Sequence, residues 1–364
     1  MNILYISHLS EQMFEGPNYS VPAQISAQAK YDNVFWWNLT DATQEEWIHL
    51  PYFHTQKEYS ERQIKNLPAP FNRPDLVIFE SFYYFDDFKL SRECKRRKIP
   101  YVVVPRSALT YQGQKQKRLK KLIANLFIFK LMTKDACAIQ YLTEKEKSDS
   151  GDKWSKTSVI IPNGIAERQY KKQYSIDSEK EMVGVSIGRI AIYQKGMDLL
   201  VEACEKMKND LLQANISFHI YGPDFKGDKQ LLIKDVKRRK LEQIIKFYDG
   251  VVGEEKEEVL KNADFFIMTS RFEGMPMALI EAMSYRIPCL VTEGSNMADK
   301  IDNNHAGWGC RTEVSDIVDA LKRMISDKDR FPEISNNAYE LSKEYNWDKI
   351  AKETHEIYAK LLSQ

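Results

Sequence analysis

The sequence predicts an α/β protein with two domains, each built around a mostly parallel sheet. The first observation behind this prediction is that short apolar segments alternate with longer segments of helical periodicity, which is typical of repeated βα units. The second is that the alternation occurs twice, on either side of a polar, non-periodic segment at residues 165–180. A chain of 364 residues, 43% of them hydrophobic, is long enough to form two separate cores.

The first series of apolar segments predicts six strands, and the second predicts five. In the first series the strands are residues 2–7, 33–37, 76–79, 101–104, 136–141 and 159–161. In the second they are residues 182–187, 216–221, 244–248, 264–269 and 289–292. Helical periodicity separates them, for example over residues 21–30, 197–207 and 229–239.

The two series place a first domain at residues 1–164 and a second at residues 165–345. The turn sequence Pro162-Asn163-Gly164 begins the linker between them. In the remaining segment, residues 346–364, apolar side chains recur at helical spacing. That segment is therefore predicted to be an amphipathic helix.

Composition and charge exclude several classes of protein. The net charge of +1 provides no general attraction to nucleic acid or to membranes. The five cysteines are scattered and include no Cys-x-x-Cys pair, which argues against a disulfide framework or a zinc site and favours a reducing, cytoplasmic setting. The most apolar window, residues 122–132, is much shorter than the roughly 20 residues that a membrane-spanning helix needs.

Two carboxylates, Glu273 and Glu281, stand eight residues apart where a predicted strand runs into a predicted helix. Pro276 suits the first turn of that helix, so Gly274 and Met275 are predicted to form the turn that enters it. The carboxyl ends of strands and the N-termini of helices are where open α/β sheets bind phosphorylated ligands. The alternative is that Glu273 only complements the helix dipole and that Glu281 is a solvated helical residue.

A second group of charges follows the strand at residues 182–187. Gly188 and Arg189 begin a loop that continues to Lys195 and Gly196 and then enters a predicted helix. An arginine can bind two phosphate oxygens through its guanidinium and a lysine adds a compact charge, so the pair could neutralise a diphosphate. The alternative is that both are ordinary surface charges.

On these motifs the sequence resembles the retaining glycosyltransferases of family 4, in particular those that build bacterial surface polysaccharides. The family's Glu-x7-Glu within Ser-x-x-Glu-Gly-x-Pro reads here as Ser270, Glu273, Gly274, Pro276 and Glu281, and its Gly-Arg and Lys-Gly positions also match. The resemblance implies the GT-B fold, in which two Rossmann-like domains face each other across a cleft and a C-terminal helix crosses back to the first domain. It implies that the first domain binds the acceptor and the second the nucleotide-sugar.

The resemblance assigns most of these residues to the donor. Glu281 would hold the ribose, and Glu273 would hold a hydroxyl of the donor sugar. The other residues implied at the donor site are Gly16, Gly188, Arg189, Lys195, Gly274, Met275 and Pro276. The residues implied in catalysis are Glu273, Arg189, Lys195 and Arg106.

Two of these assignments depend on looser matches in the first domain. Gly16 follows the first strand where relatives have a glycine-bearing loop near the donor phosphates, and a simple turn glycine is the alternative. Arg106 lies in Pro-Arg-Ser-Ala-Leu, which is similar to the Pro-His/Arg-Gly-Met-Leu string of close relatives, although Ser107 replaces the usual glycine. The match implies that Arg106 faces the donor sugar or the acceptor.

The implied activity is metal-independent transfer of a sugar, with retention of configuration, from a UDP- or GDP-linked donor to a glycan or lipid-linked acceptor, as in capsule or O-antigen synthesis. No cofactor is implied, because the nucleotide-sugar is a substrate. The single Asp-x-Asp, at residues 327–329, is predicted to be a solvated turn rather than a metal site. Two alternatives remain open: a GT-B sugar-nucleotide epimerase or phosphorylase, and a non-catalytic GT-B protein that binds lipid or glycan.

One strongly basic stretch lies in the first domain. Residues 92–121 contain eleven Lys or Arg and one acid, Glu93, and an apolar segment follows at residues 122–132. The combination within 92–132 suits peripheral contact with an anionic membrane, which would be the inner face of the cytoplasmic membrane. The alternative is a core-packed helix with a solvated basic end. No nucleic-acid-binding motif accompanies the charge, so nucleic acid is not predicted as a partner.

Overall fold

The computed structural model describes residues 1–11, 16–115, 118–155, 157–168, 170–172 and 180–363. The chain divides into two compact units. Of these residues, the first unit contains those from 1 to 11, from 17 to 164 and from 347 to 363, and the second contains Gly16 and those from 165 to 346. Each unit is an α/β domain with one parallel sheet.

The first unit has a seven-stranded sheet in the order β3-β2-β1-β4-β5-β6-β7. Its strands are β1 (Asn2–Ser7), β2 (Asn33–Asn38), β3 (Phe53–Thr55), β4 (Leu76–Phe79), β5 (Tyr101–Val103), β6 (Ala138–Tyr141) and β7 (Ser158–Ile160). Its helices are α1 (Gly16–Gln28), α2 (Glu45–Ile48), α3 (Phe85–Arg97), α4 (Tyr111–Lys115), α5 (Arg118–Ala124), α6 (Lys130–Asp135) and α7 (Glu144–Ser150), with a π-helical turn at Asn125–Phe129 and a 3-10 turn at Ile64–Asn66.

The second unit has a six-stranded sheet in the order β10-β9-β8-β11-β12-β13. Its strands are β8 (Met182–Ile187), β9 (Ile216–Tyr221), β10 (Ile245–Tyr248), β11 (Phe265–Met268), β12 (Cys289–Thr292) and β13 (Gly307–Cys310). Its helices are α8 (Ile192–Lys195), α9 (Met197–Lys206), α10 (Lys208–Gln213), α11 (Asp228–Arg238), α12 (Gly253–Asn262), α13 (Met277–Ser284), α14 (Ala298–Asn303), α15 (Val314–Ser326) and α16 (Phe331–Ser342). Short 3-10 turns lie at Glu293–Ser295, Lys328–Arg330 and Lys343–Tyr345.

The strands are apolar on both sides because helices cover both faces of each sheet. In β1, Ile3 and Tyr5 pack into one core cluster, while Leu4 and Ile6 pack into another. Successive side chains of a strand point to opposite faces, so the two clusters are the two layers on either side of the first sheet. This double burial explains why the strands appear in the sequence as continuous apolar runs.

The last helix, α17 (Trp347–Leu362), belongs to the first unit although it follows the second in sequence. Trp347, Ile350, Ala351 and Tyr358 join the same core cluster as Ile3 and Tyr5 of β1. The apolar face of α17 therefore covers one side of the first sheet. This confirms the prediction that the C-terminal helix crosses back to the first domain.

We expect replacement of Tyr358 by phenylalanine to lower the free energy of unfolding by about 1–3 kcal/mol, because a buried hydrogen bond is lost and its acceptor stays buried. Tyr358 Oη donates to Gln140 Oε1 over 2.6 Å, and both side chains are buried. Burial raises the pKa of Tyr358 well above its usual value, so the hydroxyl remains a donor. Denaturant titration measures the change. Tyr31→Phe, at a 40%-exposed position, is the control and should change stability little.

All eleven predicted strands are present, with ends shifted by at most two residues. Two strands were missed, β3 and β13, and each is one of the two edge strands of its sheet. β3 has three residues, too few for a visible alternation, and β13 begins at a glycine. Gly307 is needed there because a Cβ would lie 1.9 Å from the carbonyl oxygen of Cys289. The helix predicted over residues 21–30 was also misplaced, since α1 begins at Gly16 and ends at Gln28.

Candidate active site

The candidate site lies where the strand order of the second sheet reverses. β8 neighbours β9 on one side and β11 on the other, so the loops after β8 and β11 diverge to opposite faces and leave a crevice at the carboxyl edge. A pocket there has about 220 Å³ of empty space, open solvent included. It is lined by Ser186, Ile187, Gly188, Arg189, Lys195, Met197, Met268, Thr269 and Ser270.

Lys195 and Glu273 form an ion pair at this edge. Lys195 Nζ lies 2.7 Å from Glu273 Oε1, and Ser270 Oγ donates to the same oxygen over 2.8 Å. The two side chains are 16% and 11% exposed, so the pair is largely shielded from solvent. A Cβ at Gly188 would be 3.6 Å from Lys195 Nζ, which places the ammonium over the Gly188 backbone. Residues from the two predicted motifs, the loop at residues 188–196 and the segment with Glu273, therefore come together.

Two glycines allow the loops of the site to approach one another closely. Gly196 has φ +61°, and a Cβ there would lie 2.0 Å from the carbonyl oxygen of Thr269. Thr269 Oγ1 in turn donates to the Gly196 carbonyl over 2.9 Å. At Gly222, which follows β9, a Cβ would lie 1.8 Å from the Gly188 carbonyl oxygen. The contacts of Gly196 hold the loop that carries Lys195 against the end of β11, and the contact of Gly222 holds the start of that loop against the end of β9.

Arg189 lines the same pocket. Its guanidinium carbon lies 4.7 Å from the centre of the Phe225 ring, and Nη2 donates to Gln194 Oε1 over 3.3 Å. A cation over an aromatic face is attracted to the ring. Arg189 is therefore positioned by the protein before any ligand binds.

The turn after Glu273 is held by Asn296. Its Nδ2 donates to the carbonyls of Glu273 and Gly274 over 2.5 and 2.9 Å. Met275 is buried, and Pro276 has φ −77° and ψ 117°, which is extended backbone. The prediction that Pro276 lies in the first turn of the helix was wrong, because α13 begins at Met277. With no N–H of its own, proline leaves no donor unpaired just before the helix.

Glu281 lies on α13 and forms an ion pair with Lys256 of α12. The two side chains are 16% and 17% exposed, so Glu281 is not the solvated helical residue of the alternative reading. Glu281 is thus paired with Lys256, whereas Glu273 is paired with Lys195. The ribose contact predicted for Glu281 stays a prediction.

The two residues predicted in the first domain, Arg106 and Gly16, have different surroundings. Arg106 donates to Glu80 Oε2 over 2.7 Å and to Ser20 Oγ over 3.1 Å, and its side chain is 11% exposed. It lies just past β5, and Glu80 follows β4, so this polar cluster is at the carboxyl edge of the first sheet. Gly16 begins α1, and a Cβ there would meet nothing within 4 Å, so packing does not demand a glycine. Both ligand contacts stay predictions.

Comparison with known families identifies the second unit. The family model "Glycosyl transferases group 1" matches residues 167–341. The second unit belongs to the group 1 glycosyl transferases.

Two solved structures share the fold of the whole chain. Sucrose-phosphate synthase from Thermosynechococcus elongatus superposes with a TM-score of 0.78 at 16% identity, covering 100% of this chain and 99% of that one. HepE of Anabaena, solved in complex with UDP, superposes with a TM-score of 0.73 at 16% identity. The match covers 99% of this chain and 100% of that one. Similarity at this identity shows the fold, and it confirms the predicted GT-B class of two Rossmann-like domains.

Among sequence relatives, the GPI3 subunit of phosphatidylinositol N-acetylglucosaminyltransferase from Saccharomyces cerevisiae is 26% identical over 211 residues. The match covers 56% of this chain and 46% of that protein, so it spans about half of the relative's length.

Sequence reasoning missed several residues that shape this candidate site. The guanidinium of Arg271 donates two hydrogen bonds of 2.7 Å to the carboxylate of Asp198. The backbone N–H of Arg271 donates to the Gln194 carbonyl over 2.8 Å. These bonds tie the segment before Glu273 to α8 and α9. Asn296 was missed as well. The sequence offered no signal for either, because their partners are distant along the chain.

Within the described ranges, no cluster of three or more His, Cys, Asp or Glu side chains is arranged to hold a metal ion. Asp327 accepts a 2.9 Å hydrogen bond from Trp308 Nε1, and the 3-10 turn at Lys328–Arg330 follows it. The Asp-x-Asp sequence is therefore part of a turn with a structural contact.

Proposed function

We propose that this protein is a retaining glycosyltransferase that moves a hexosyl group from a UDP- or GDP-linked donor to a glycan or lipid-linked acceptor. The observation that carries the proposal is the ion pair of Lys195 and Glu273 beside Gly188 and Arg189, at the reversal point of the second sheet. Two cations at a carboxyl-edge crevice suit a diphosphate, and the paired carboxylate suits a sugar hydroxyl. The binding of UDP by HepE, which has the same fold, supports a nucleotide donor.

In the proposed reaction an acceptor hydroxyl attacks the anomeric carbon as the bond to the diphosphate oxygen breaks. The electron pair leaves with the diphosphate, which also receives the acceptor's proton. Attack occurs on the face that the diphosphate leaves, so configuration is retained. Arg189 and Lys195 meet the negative charge that develops on the leaving group, and this contact strengthens in the transition state. These cations take the role that a metal would have, so we propose metal-independent catalysis.

We propose that the first unit binds the acceptor, with Arg106 and Glu80 at the carboxyl edge of its sheet as contacts. Carboxyl edges of parallel sheets are the usual ligand sites of such folds. The acceptor would belong to a bacterial surface polysaccharide such as capsule or O-antigen, extended at the cytoplasmic face of the membrane. Within the described residues no helix has the length and apolar character needed to cross a bilayer.

A thermal-shift screen against UDP, GDP, ADP, CMP and their sugar conjugates tests the donor site. We expect one base to stabilise the protein by about 2–3 kcal/mol when the ligand is at roughly 100 times its Kd. Glu281→Ala should abolish this selective stabilisation if the carboxylate holds the ribose. Lys256→Gln is the matched control, because it breaks the same ion pair and keeps the carboxylate.

Three outcomes of the screen would count against the proposal or its parts. Equal loss in Lys256→Gln and Glu281→Ala would show that Glu281 acts only through its ion pair. No stabilisation by any nucleotide in folded wild-type protein would favour a non-catalytic binding protein. Conversion of a sugar nucleotide without any glycan acceptor would favour an epimerase or phosphorylase.

A further inference from the structure

The helical segment at residues 118–135 carries an apolar stripe on its outer face. α5, the π-helical turn and α6 follow one another without a break in this segment. Six large apolar side chains in it are between 45% and 77% exposed. They are Leu119, Leu122, Ile123, Leu126, Phe127 and Leu131, and we call them the outer stripe. Their spacing of three and four residues places them on one side of the helix.

The opposite side of the same segment holds it in the fold. Phe129 and Met132 are buried in a core cluster of the first unit, with Ala124 and Ile128 packed against them. The core-packed alternative considered for this segment therefore accounts for one face only. Packing within the described part of the first unit gives no reason for six apolar side chains on the other face, and exposed apolar patches of this kind mark interaction sites.

Between residues 118 and 134, the charged residues of this segment are all basic. Lys120, Lys130 and Lys134 are exposed at neighbouring positions of the same face. No Asp or Glu occurs between Glu93 and Asp135 in the sequence. Asp135 itself is bonded to Arg92 and Lys95, over 2.6 and 2.7 Å, so its charge is compensated.

We infer that the outer stripe is a docking surface for an anionic lipid bilayer, with the apolar side chains inserted at the interface and the lysines on the headgroups. A helix with an apolar face and lysines beside it suits this position, and the aliphatic stems of lysines can extend up to the headgroups. A second copy of the chain would bring the same positive charges together, which disfavours self-association. The inference rests on the proposed function in one respect: docking to a bilayer would bring the protein to a lipid-linked acceptor.

Vesicle co-sedimentation without any sugar donor tests the inference. Vesicles of phosphatidylcholine mixed with phosphatidylglycerol should bind the wild-type protein, and phosphatidylcholine alone should bind it more weakly. The triple variant Leu122→Ser, Leu126→Ser, Phe127→Ser should bind at least about 10-fold more weakly, because these side chains supply apolar burial. Each of Lys120→Gln, Lys130→Gln and Lys134→Gln should weaken binding to the anionic vesicles by about fivefold.

Ile48→Ser and Leu231→Ser are matched controls, because these side chains are 55% and 56% exposed but lie outside the stripe. Both should bind vesicles like the wild type. Unchanged binding by the triple variant, or no binding of wild-type protein to anionic vesicles, overturns the inference. A dimer in sedimentation velocity that the triple variant abolishes also overturns it, in favour of a subunit interface.

The two proposals fail separately. The triple variant should keep the nucleotide-induced thermal shift of the wild-type protein, because the stripe is in the first unit and the candidate donor site is in the second. Vesicle binding without any nucleotide response would support the stripe and contradict the proposed function. A nucleotide response without vesicle binding would support the proposed function and contradict the inference about the outer stripe.

Discussion

Replacement of Lys195 by alanine is expected to slow sugar transfer by at least about 100-fold, the scale for losing one charged contact to a transition state. The ammonium lies 2.7 Å from Glu273 Oε1 and over the backbone of Gly188, and Lys195 and Arg189 line the same pocket. Negative charge grows on the diphosphate as the glycosidic bond breaks, so the loss should appear mainly in kcat. Steady-state kinetics with saturating acceptor measure it.

Two variants separate this effect from a general loss of charge. Lys226→Ala removes an exposed lysine next to Phe225, the ring beneath Arg189, and should leave the rate close to that of the wild type. Lys195→Arg keeps a cation in a different shape and should recover part of the rate. A near-normal kcat for Lys195→Ala would contradict the assignment of the diphosphate site.

The second large effect is expected from Gly196→Ala, which should lower the free energy of unfolding by about 3 kcal/mol or more. The new Cβ would lie 2.0 Å from the carbonyl oxygen of Thr269, a backbone atom that can move only with the end of β11. The shift would also break the hydrogen bond from Thr269 Oγ1 to the Gly196 carbonyl. Lys195 is the preceding residue, so nucleotide binding should weaken as well.

Gly253→Ala is the matched control for this substitution. Gly253 has φ +53°, close to the +61° of Gly196, but a Cβ there meets nothing within 4 Å. Gly253→Ala should lower the free energy of unfolding by only about 1–2 kcal/mol, because an alanine in a left-handed backbone conformation is disfavoured by that amount. Denaturant titration of both variants gives the difference that belongs to the contact with Thr269. Equal losses would show that this contact is not tight.

The sequence predicted the elements of the fold because their cause is local. A strand buried on both faces has to be apolar throughout, as Leu76–Phe79 is, and a helix packed on one side has to repeat its apolar residues every three or four positions. The same logic failed for β3 and β13, since short edge strands carry too few buried side chains to leave a pattern. Sequence periodicity also could not tell which face of residues 118–135 packs on the core, because an apolar stripe has the same pattern whether it is buried or exposed.

The sequence by itself determined the α/β class, the two series of strands and the Glu273 and Glu281 motif with its family resemblance. Only the tertiary structure decided which side chains meet. Lys195 and Glu273 are 78 residues apart, and they pair because β8 and β11 are neighbours in the sheet although two strands separate them along the chain. The partnership of Asn296 with the turn after Glu273 has the same origin. Periodicity records which face of an element is buried, whereas contacts across a sheet depend on strand order, which no local pattern contains.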